Sequence, residues 1–315
     1  MHTLSRRRLL EATLLAPAAG LLGCQQGSHA VPASTRSDVR AVSLVLDALP
    51  TLEGAGVHLR RSIGTRQLSV LDPFLLLDEI RSDRVEDYIK GFPTHPHRGF
   101  ETVTIMLSGA IEHKDSVGNH GRLMGGSAQW MTAGHGIVHS EMPQQDGELF
   151  WGLQLWVNLP RTDKLIRPRY QDIPSDRIVE LSAAGAPTRV IAGELLGQRG
   201  PVQGIAVAPT LMDVRLRSAG RFELEIPQTH GGFVYLLEGS ALVGSDATAV
   251  RAGQLAALGP GRVVTLRSDA GARVLLAAGR RLDEPVARRG PFVMNTEAEL
   301  DQAYEDYRSG ALVSG

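Results

Sequence analysis

The chain has 315 residues, a formal net charge of −1, 43% hydrophobic residues and a single cysteine. Such a length makes two domains the default, and the apolar content excludes a disordered chain. The arginines scatter as Arg167/Arg169, Arg280/Arg281 and Arg288/Arg289, without the basic stripe of a nucleic-acid binder, so no nucleic-acid partner is expected.

The first 24 residues read as an export signal. Ser5-Arg-Arg-Arg-Leu-Leu10 supplies a positive start, and Ala12 to Gly23 is an apolar run too short to span a bilayer. Leu21-Leu-Gly-Cys24 resembles a bacterial lipobox, with Cys24 as the lipidated residue, and the paired arginines resemble a twin-arginine signal, although Glu11 sits where a lysine is common. Residues 25–40 are mostly small and polar and read as a flexible tether. The mature protein is therefore expected at the periplasmic or cell-surface side, held to a membrane only by its lipidated N-terminus.

Beyond the tether, short stretches of period-two alternation recur between Gly, Pro, Asn and Asp, which predicts an all-β sandwich or barrel. Val103, Ile105 and Leu107 share one face, as do Trp151, Leu153, Leu155 and Val157, and again Phe222, Leu224 and Ile226. The continuous run Val274-Leu-Leu-Ala-Ala278 predicts a strand buried on both sides. Ile105-Met-Leu-Ser-Gly109 is echoed by Tyr235-Leu-Leu-Glu-Gly239, Gly125-Gly126 by Gly253, and Met131-Thr-Ala-Gly-His-Gly136 by Leu258-Gly-Pro-Gly261. That repeat predicts a duplicated barrel: a front unit over 41–170 and a back unit over 185–310, with a proline-interrupted seam from Leu159 to Pro187. Thr296-Glu-Ala-Glu299 is a capping box, and Leu300, Ala303, Tyr304 and Tyr307 follow at helical spacing, giving one short C-terminal helix packed on a barrel.

The chemistry concentrates in the front unit. Six of the ten histidines (His95, His97, His113, His120, His135 and His139) fall within 45 residues. His95/His97 and His139/Glu141 are each spaced i, i+2, so on a strand each pair points to one face. If the two pairs lie on facing strands, three imidazoles and one carboxylate meet at a single ion, a set suited to Fe, Ni, Cu, Mn or Zn rather than Ca or Mg. Glu101 shares the parity of His95 and His97 and is an alternative fourth ligand or a supporting acceptor, provided that Gly99 does not bulge the strand. His113 and His120 read as surface turn residues. Gln129 and Trp130 are candidates for the mouth of the site, although Trp130 and Met131 also suit a core. Matching the repeat puts Val264 and Leu266 at the places of His139 and Glu141, so the back unit cannot assemble the same ligands.

The stretches Leu71-Asp-Pro-Phe-Leu-Leu-Leu-Asp-Glu79, His95-Pro-His-Arg-Gly-Phe-Glu-Thr102, Gln129-Trp-Met-Thr-Ala-Gly-His-Gly136, His139-Ser-Glu-Met-Pro143 and Gly290-Pro-Phe-Val-Met-Asn-Thr296 resemble the signature runs of the pirin family of the cupin superfamily, over about residues 57–308. The resemblance implies two cupin barrels (a bicupin) with one metal, usually iron, in the N-terminal barrel on His95, His97, His139 and Glu141. It also implies an activity, since several pirin-like proteins are similar to quercetinases, which open flavonols with dioxygen. Animal pirins are known instead as nuclear cofactors of transcription, a role foreign to an exported lipoprotein. One departure stands out: His135 occupies a position that is commonly arginine in the family, replacing a fixed charge with an imidazole.

The leading expectation is a monomeric, metal-dependent dioxygenase acting on a small aromatic enol and dioxygen, with Glu141 as general base for the flavonol hydroxyl. The competing class is a non-enzymatic metal-binding module whose ion shapes a docking surface or switches it by redox state. A metal-assisted isomerase or sugar-binding cupin would need a polar pocket, which the apolar residues around the motifs do not suggest. In either leading class metal affinity should fall with pH, because imidazoles ligate only when unprotonated.

Overall fold

The computed structural model describes residues 38–145, 147 and 149–313, and these belong to one compact unit. The signal segment, Cys24 and most of the tether lie outside the described residues. Among the described residues no helix is long and apolar enough to cross a membrane.

The first strands in chain order are β1 (Val42–Asp47), β2 (Leu49–Glu53), β3 (Val57–Ile63), β4 (Phe74–Ser82), β5 (Phe92–His97), β6 (Phe100–Ser108), β7 (Ala110–Asp115), β8 (His120–Met124), β9 (Ala128–Thr132), β10 (Ile137–Gln144), β11 (Phe150–Asn158) and β12 (Arg169–Ile173), and β2 to β12 build the front barrel. A seven-stranded sheet in the order β12-β9-β6-β11-β4-β3-β2 faces a four-stranded sheet in the order β5-β10-β7-β8. Alternation assigns the faces. Val103, Ile105, Trp151, Leu153, Leu155 and Val157 look outward into an apolar cluster shared with Phe233, Tyr235 and Leu275 of the back barrel. Met106, Ile111 and Phe150 fill the front barrel's own interior.

The back barrel centres on a ten-stranded sheet in which Val274–Ala278 is buried on both sides: Leu275 and Ala277 join the interface between barrels, whereas Val274, Leu276 and Ala278 join the back core with Phe222, Leu224 and Ile226. The repeat seen in sequence is real in the backbone. Gly109 and Gly239 have φ of 76° and 71°, Gly126 and Gly253 of 88° and 80°, so both copies turn at the same places through conformations that favour glycine. Val264 and Leu266 are fully buried in the back core, which is filled with aliphatic side chains where the front barrel holds polar ones. The two barrels are also joined by a buried polar link: Glu79 on β4 accepts from the Trp151 indole at 2.8 Å and from the Tyr235 hydroxyl at 2.6 Å.

Two segments make contacts across the expected unit boundaries. Strand β1, placed in the front unit by the 41–170 boundary, instead pairs with Gln254–Leu258 in the back sheet. The C-terminal segment, placed with the back unit by the 185–310 boundary, crosses to the front barrel: Phe292 bridges Arg98 in parallel, and Leu312 packs with Val138. The helix α1 (Glu297–Ser309) has the capping box read from sequence, with Thr296 accepting from the Glu299 amide and Glu299 accepting from the Thr296 amide at 2.9 Å. It buries Leu300 and Ala303, sets Tyr304 and Tyr307 against Phe292, and ties its Asp306 to Arg98 at 2.7 Å.

Candidate metal centre and cavity

The segment after β5 is held from three sides. Gly99 has φ of 85° and lies so close to the Val293 carbonyl that a Cβ there would overlap it, so only glycine fits the turn. The Arg98 side chain donates to the His135 carbonyl and pairs with Asp306. Lys164, buried without a carboxylate partner among the described residues, donates to the carbonyls of Gly99 and Val293 at 2.8 and 3.1 Å and to Asn158 Oδ1 at 2.9 Å. Burial lowers its pKa to about 8. These contacts fix where His97 ends up.

Strands β5 and β10 are hydrogen-bonded neighbours in one sheet, so the two pairs meet across adjacent strands. His139 stands directly opposite His95, and Ile137 opposite His97. The register shift that follows lies on the β5 side, where Pro93 and Thr94 stand against Ser140, and β10 itself stays regular through Glu141 against β7. His95, His97 and His139 bring one ring nitrogen each to within 4.8 Å of one another, and His113, His139 and Glu141 form a second, overlapping triad within the same limit.

The tautomers follow from the partners. His95 Nδ1 lies 2.8 Å from the Pro93 carbonyl and His97 Nδ1 lies 3.3 Å from the Pro291 carbonyl, and a carbonyl can only accept. Both Nδ1 atoms therefore carry the proton, and both Nε2 atoms are bare lone pairs. Those Nε2 atoms face each other at 3.1 Å. Two such acceptors repel unless a cation stands between them; two nitrogens bound at right angles about 2.1 Å from one ion would sit about 3.0 Å apart. His139 Nε2 is buried with no hydrogen-bond partner. An orphaned nitrogen beside two convergent lone pairs fits a divalent transition metal.

Burial holds the four groups in complementary states. Desolvation lowers His95, and lowers His97 and His139 well below the usual imidazole value, aided by the neighbouring rings, so these imidazoles are neutral at neutral pH. The same desolvation raises Glu141 to about 7, against hydrogen bonds from Thr104 at 3.0 Å and Gln154 at 3.1 Å.

A cavity of about 560 Å³ opens inside the front barrel onto His95, His97 and Glu141. Leu76, Ile80, Phe92, Met106, Phe150 and Trp156 give it largely apolar walls. The other expected residues lie elsewhere. Glu101 belongs to β6, in the other sheet, because the chain turns at Gly99; it faces the back barrel with Thr132 donating to it at 2.7 Å. Trp130 is in the core between barrels, on the same face. Gln129 donates to Asp172 at 2.8 Å, and neither it nor His135 lines the cavity. His120 is exposed beside Glu112, as expected, but on a strand.

His113 overturns its reading as a surface residue. It is buried on β7 opposite Glu141, its Nδ1 is 3.4 Å from His139 Nδ1, and its Nε2 is 3.1 Å from the Tyr170 hydroxyl. Thr104 and Gln154, which hold Glu141, were also missed. Gln154 carried a signal, being the one long polar side chain in the apolar run Phe150–Asn158.

These protonation states make a prediction about pH. Below about pH 7 a metal must expel the proton of Glu141, so affinity should fall by about tenfold per pH unit from pH 7 to 5.5. Burial lowers all three histidines, His97 and His139 the most, which weakens their share of the effect. Glu141→Gln should bind more weakly and with a flatter profile than wild type, measured by competition with a metal-chelating dye. A flat wild-type profile would contradict the assignment. The sign reverses for folding: a raised carboxyl pKa stabilises metal-free protein at low pH, and that contribution is lost as pH rises through 7.

Comparison with known proteins extends the geometry. The sequence profile described as Pirin matches residues 56–157, and that described as Pirin C-terminal cupin domain matches residues 211–313. A Pseudomonas aeruginosa protein provisionally named quercetin 2,3-dioxygenase is 45% identical over 269 residues, 84% of this chain and 94% of its own. The crystal structure of a quercetin 2,3-dioxygenase from Acinetobacter baumannii is similar with a TM-score of 0.79 at 33% identity, covering 87% of this chain and 99% of that one. A bacterial pirin from Escherichia coli, crystallised in complex with nickel(II), shares the fold at a TM-score of 0.56 and 18% identity, over 76% of this chain and 100% of its own. With one profile on each barrel and a relative matched along nearly its whole length, this chain belongs to the pirin family.

Proposed function

We propose that the protein is a metal-dependent dioxygenase of the quercetinase type, acting on flavonols or related enolic aromatics. The observation that carries this reading is the apolar cavity, which ends on two histidines with converging lone pairs and on a carboxylate poised near neutrality. Its volume of about 560 Å³ suits a flat polycyclic ligand. The names of the Pseudomonas and Acinetobacter relatives support the same substrate class.

His95, His97, His139 and Glu141 would hold the ion, with iron favoured by the family resemblance and Ni, Cu, Mn or Zn compatible with the donors. When bound, it supplies Lewis acidity toward an enol oxygen and a meeting point for substrate and dioxygen. The chain's own residues do the rest. Glu141 takes the enol proton on a carboxylate oxygen as general base. Thr104 and Gln154 keep that carboxylate aimed while it gains and loses the proton, and His113 backs His139. The apolar walls favour an aromatic ring system.

Purified, metal-loaded protein should consume oxygen with quercetin, and His97→Ala should lower the rate at least about a hundredfold with retained folding. Tight metal binding with no oxygen uptake over a flavonol panel would favour the alternative, a metal-binding interaction module.

The proposal extends to location. The arginine pair Arg6-Arg7 and the lipobox-like Leu21-Leu-Gly-Cys24 support export as a lipoprotein. Radiolabelled palmitate should be incorporated into wild type and lost in Cys24→Ser; an unlabelled, cytosolic wild type would refute export.

A further inference from the structure

Four charged side chains line the cavity besides the metal-binding candidates: Glu53, Arg61, Asp78 and Arg288. Three of them satisfy one another. Arg61 forks onto Asp78 with two hydrogen bonds of 2.7 Å and reaches Glu53 at 2.8 Å, so both carboxylates are engaged.

Arg288 is different. Its guanidinium lies over the Trp156 ring, 4.6 Å from the centroid, and donates through Nη1 to the Leu75 carbonyl at 3.0 Å. No described carboxylate forms an ion pair with it, although it is half-buried. Burial foremost, and then the nearby Arg61, disfavour its charge and outweigh the opposing pull of Asp78 and Glu53, which Arg61 already engages, so an incoming anion would relieve part of that cost. Its position ties it to the candidate metal centre. Trp156 also packs edge-on against His97 at 5.2 Å between centroids, and Arg288 precedes by three residues the Pro291 whose carbonyl orients His97. The cation thus lines the cavity one indole ring from the proposed ligands, and among the described residues its hydrogen bond is the one from Nη1 to the Leu75 carbonyl.

We propose that Arg288 is a specificity-determining residue that reads an anionic group, a carboxylate, carried by the aromatic enol at the end remote from its reacting ring. The inference rests on reading the cavity as the substrate site. Guanidinium and carboxylate match as a bidentate pair, and Trp156 beneath holds the guanidinium plane in place. A neutral flavonol then fills the apolar walls but leaves this cation unpaired. An aromatic enol with a carboxylate uses both.

The test uses two probes that lack the reacting hydroxyl and cannot turn over, flavone and flavone-4′-carboxylate, titrated by tryptophan fluorescence into metal-loaded full-length protein. Wild type should bind the carboxylate on the order of tenfold more tightly than flavone, as one charge-assisted hydrogen bond would give. In Arg288→Gln that ratio should fall to about one, and in Arg288→Lys it should lie between. Taking the ratio cancels any loss of packing on Trp156, since that would weaken both probes alike. Melting curves establish folding, and should the Gln variant fail to fold, the Lys variant decides: an unreduced ratio there overturns the proposal. A wild-type ratio near one, or a ratio untouched by Arg288→Gln, also overturns it. Protein that binds the carboxylate through Arg288 yet oxidises no flavonol would refute the dioxygenase reading and leave this one standing; oxygen uptake without charge preference would do the reverse.

Discussion

Two imidazoles of β5 turn their lone pairs toward one point because the carbonyls of Pro93 and Pro291 take their other protons. That arrangement is unfavourable by itself, with Nε2 atoms 3.1 Å apart and the His139 nitrogen beside them unpaired, and it becomes favourable when a cation is shared. Much of the surrounding structure serves to hold it. The glycine-only turn at Gly99, the three bonds from Lys164 and the Arg98–Asp306 pair all act on the few residues after His97. The C-terminal crossing is therefore part of the front barrel's site, since it supplies Pro291, Val293 and Asp306 from more than 190 positions away in sequence.

Duplication separates scaffold from chemistry. Both barrels keep the same glycine turns, and their strands pair in the same sense. The interiors diverge at Val264 and Leu266, fully buried in the back barrel where the front one carries His139 and Glu141. An aliphatic core is the simpler solution for stability, because each buried polar group must find a partner. The front barrel bears that cost at Glu141, His113 and Lys164. Its outer face rests on the back barrel through a shared apolar cluster and through Glu79, bonded to Trp151 and Tyr235.

Much of this was legible in the sequence. Period-two alternation reports which face of a strand is apolar, and it assigned Val103, Trp151 and Phe222 to buried faces. The i, i+2 spacing brought His95 with His97 and His139 with Glu141 onto common faces. What alternation does not encode is which sheet a strand joins. For that reason the pairing of β1 with the back sheet and the packing of the C-terminal segment on the front barrel were not foreseen, and Glu101 shared parity with the histidines yet lies in another sheet. His113 was hidden for a related reason: Glu112, Lys114 and Asp115 give it the look of a turn, and only pairing with Glu141 across β7 and β10 buries it. Arg288 stood among scattered arginines until the crossing brought it to the cavity.

The account stands or falls on the ion's neighbours. X-ray absorption at the metal edge of the reconstituted protein addresses them directly. The expected spectrum has a nitrogen and oxygen shell near about 2.1 Å, with outer-shell features of three imidazoles that drop to two in His97→Ala. A shell of water and carboxylate oxygens, without the imidazole pattern, would contradict it.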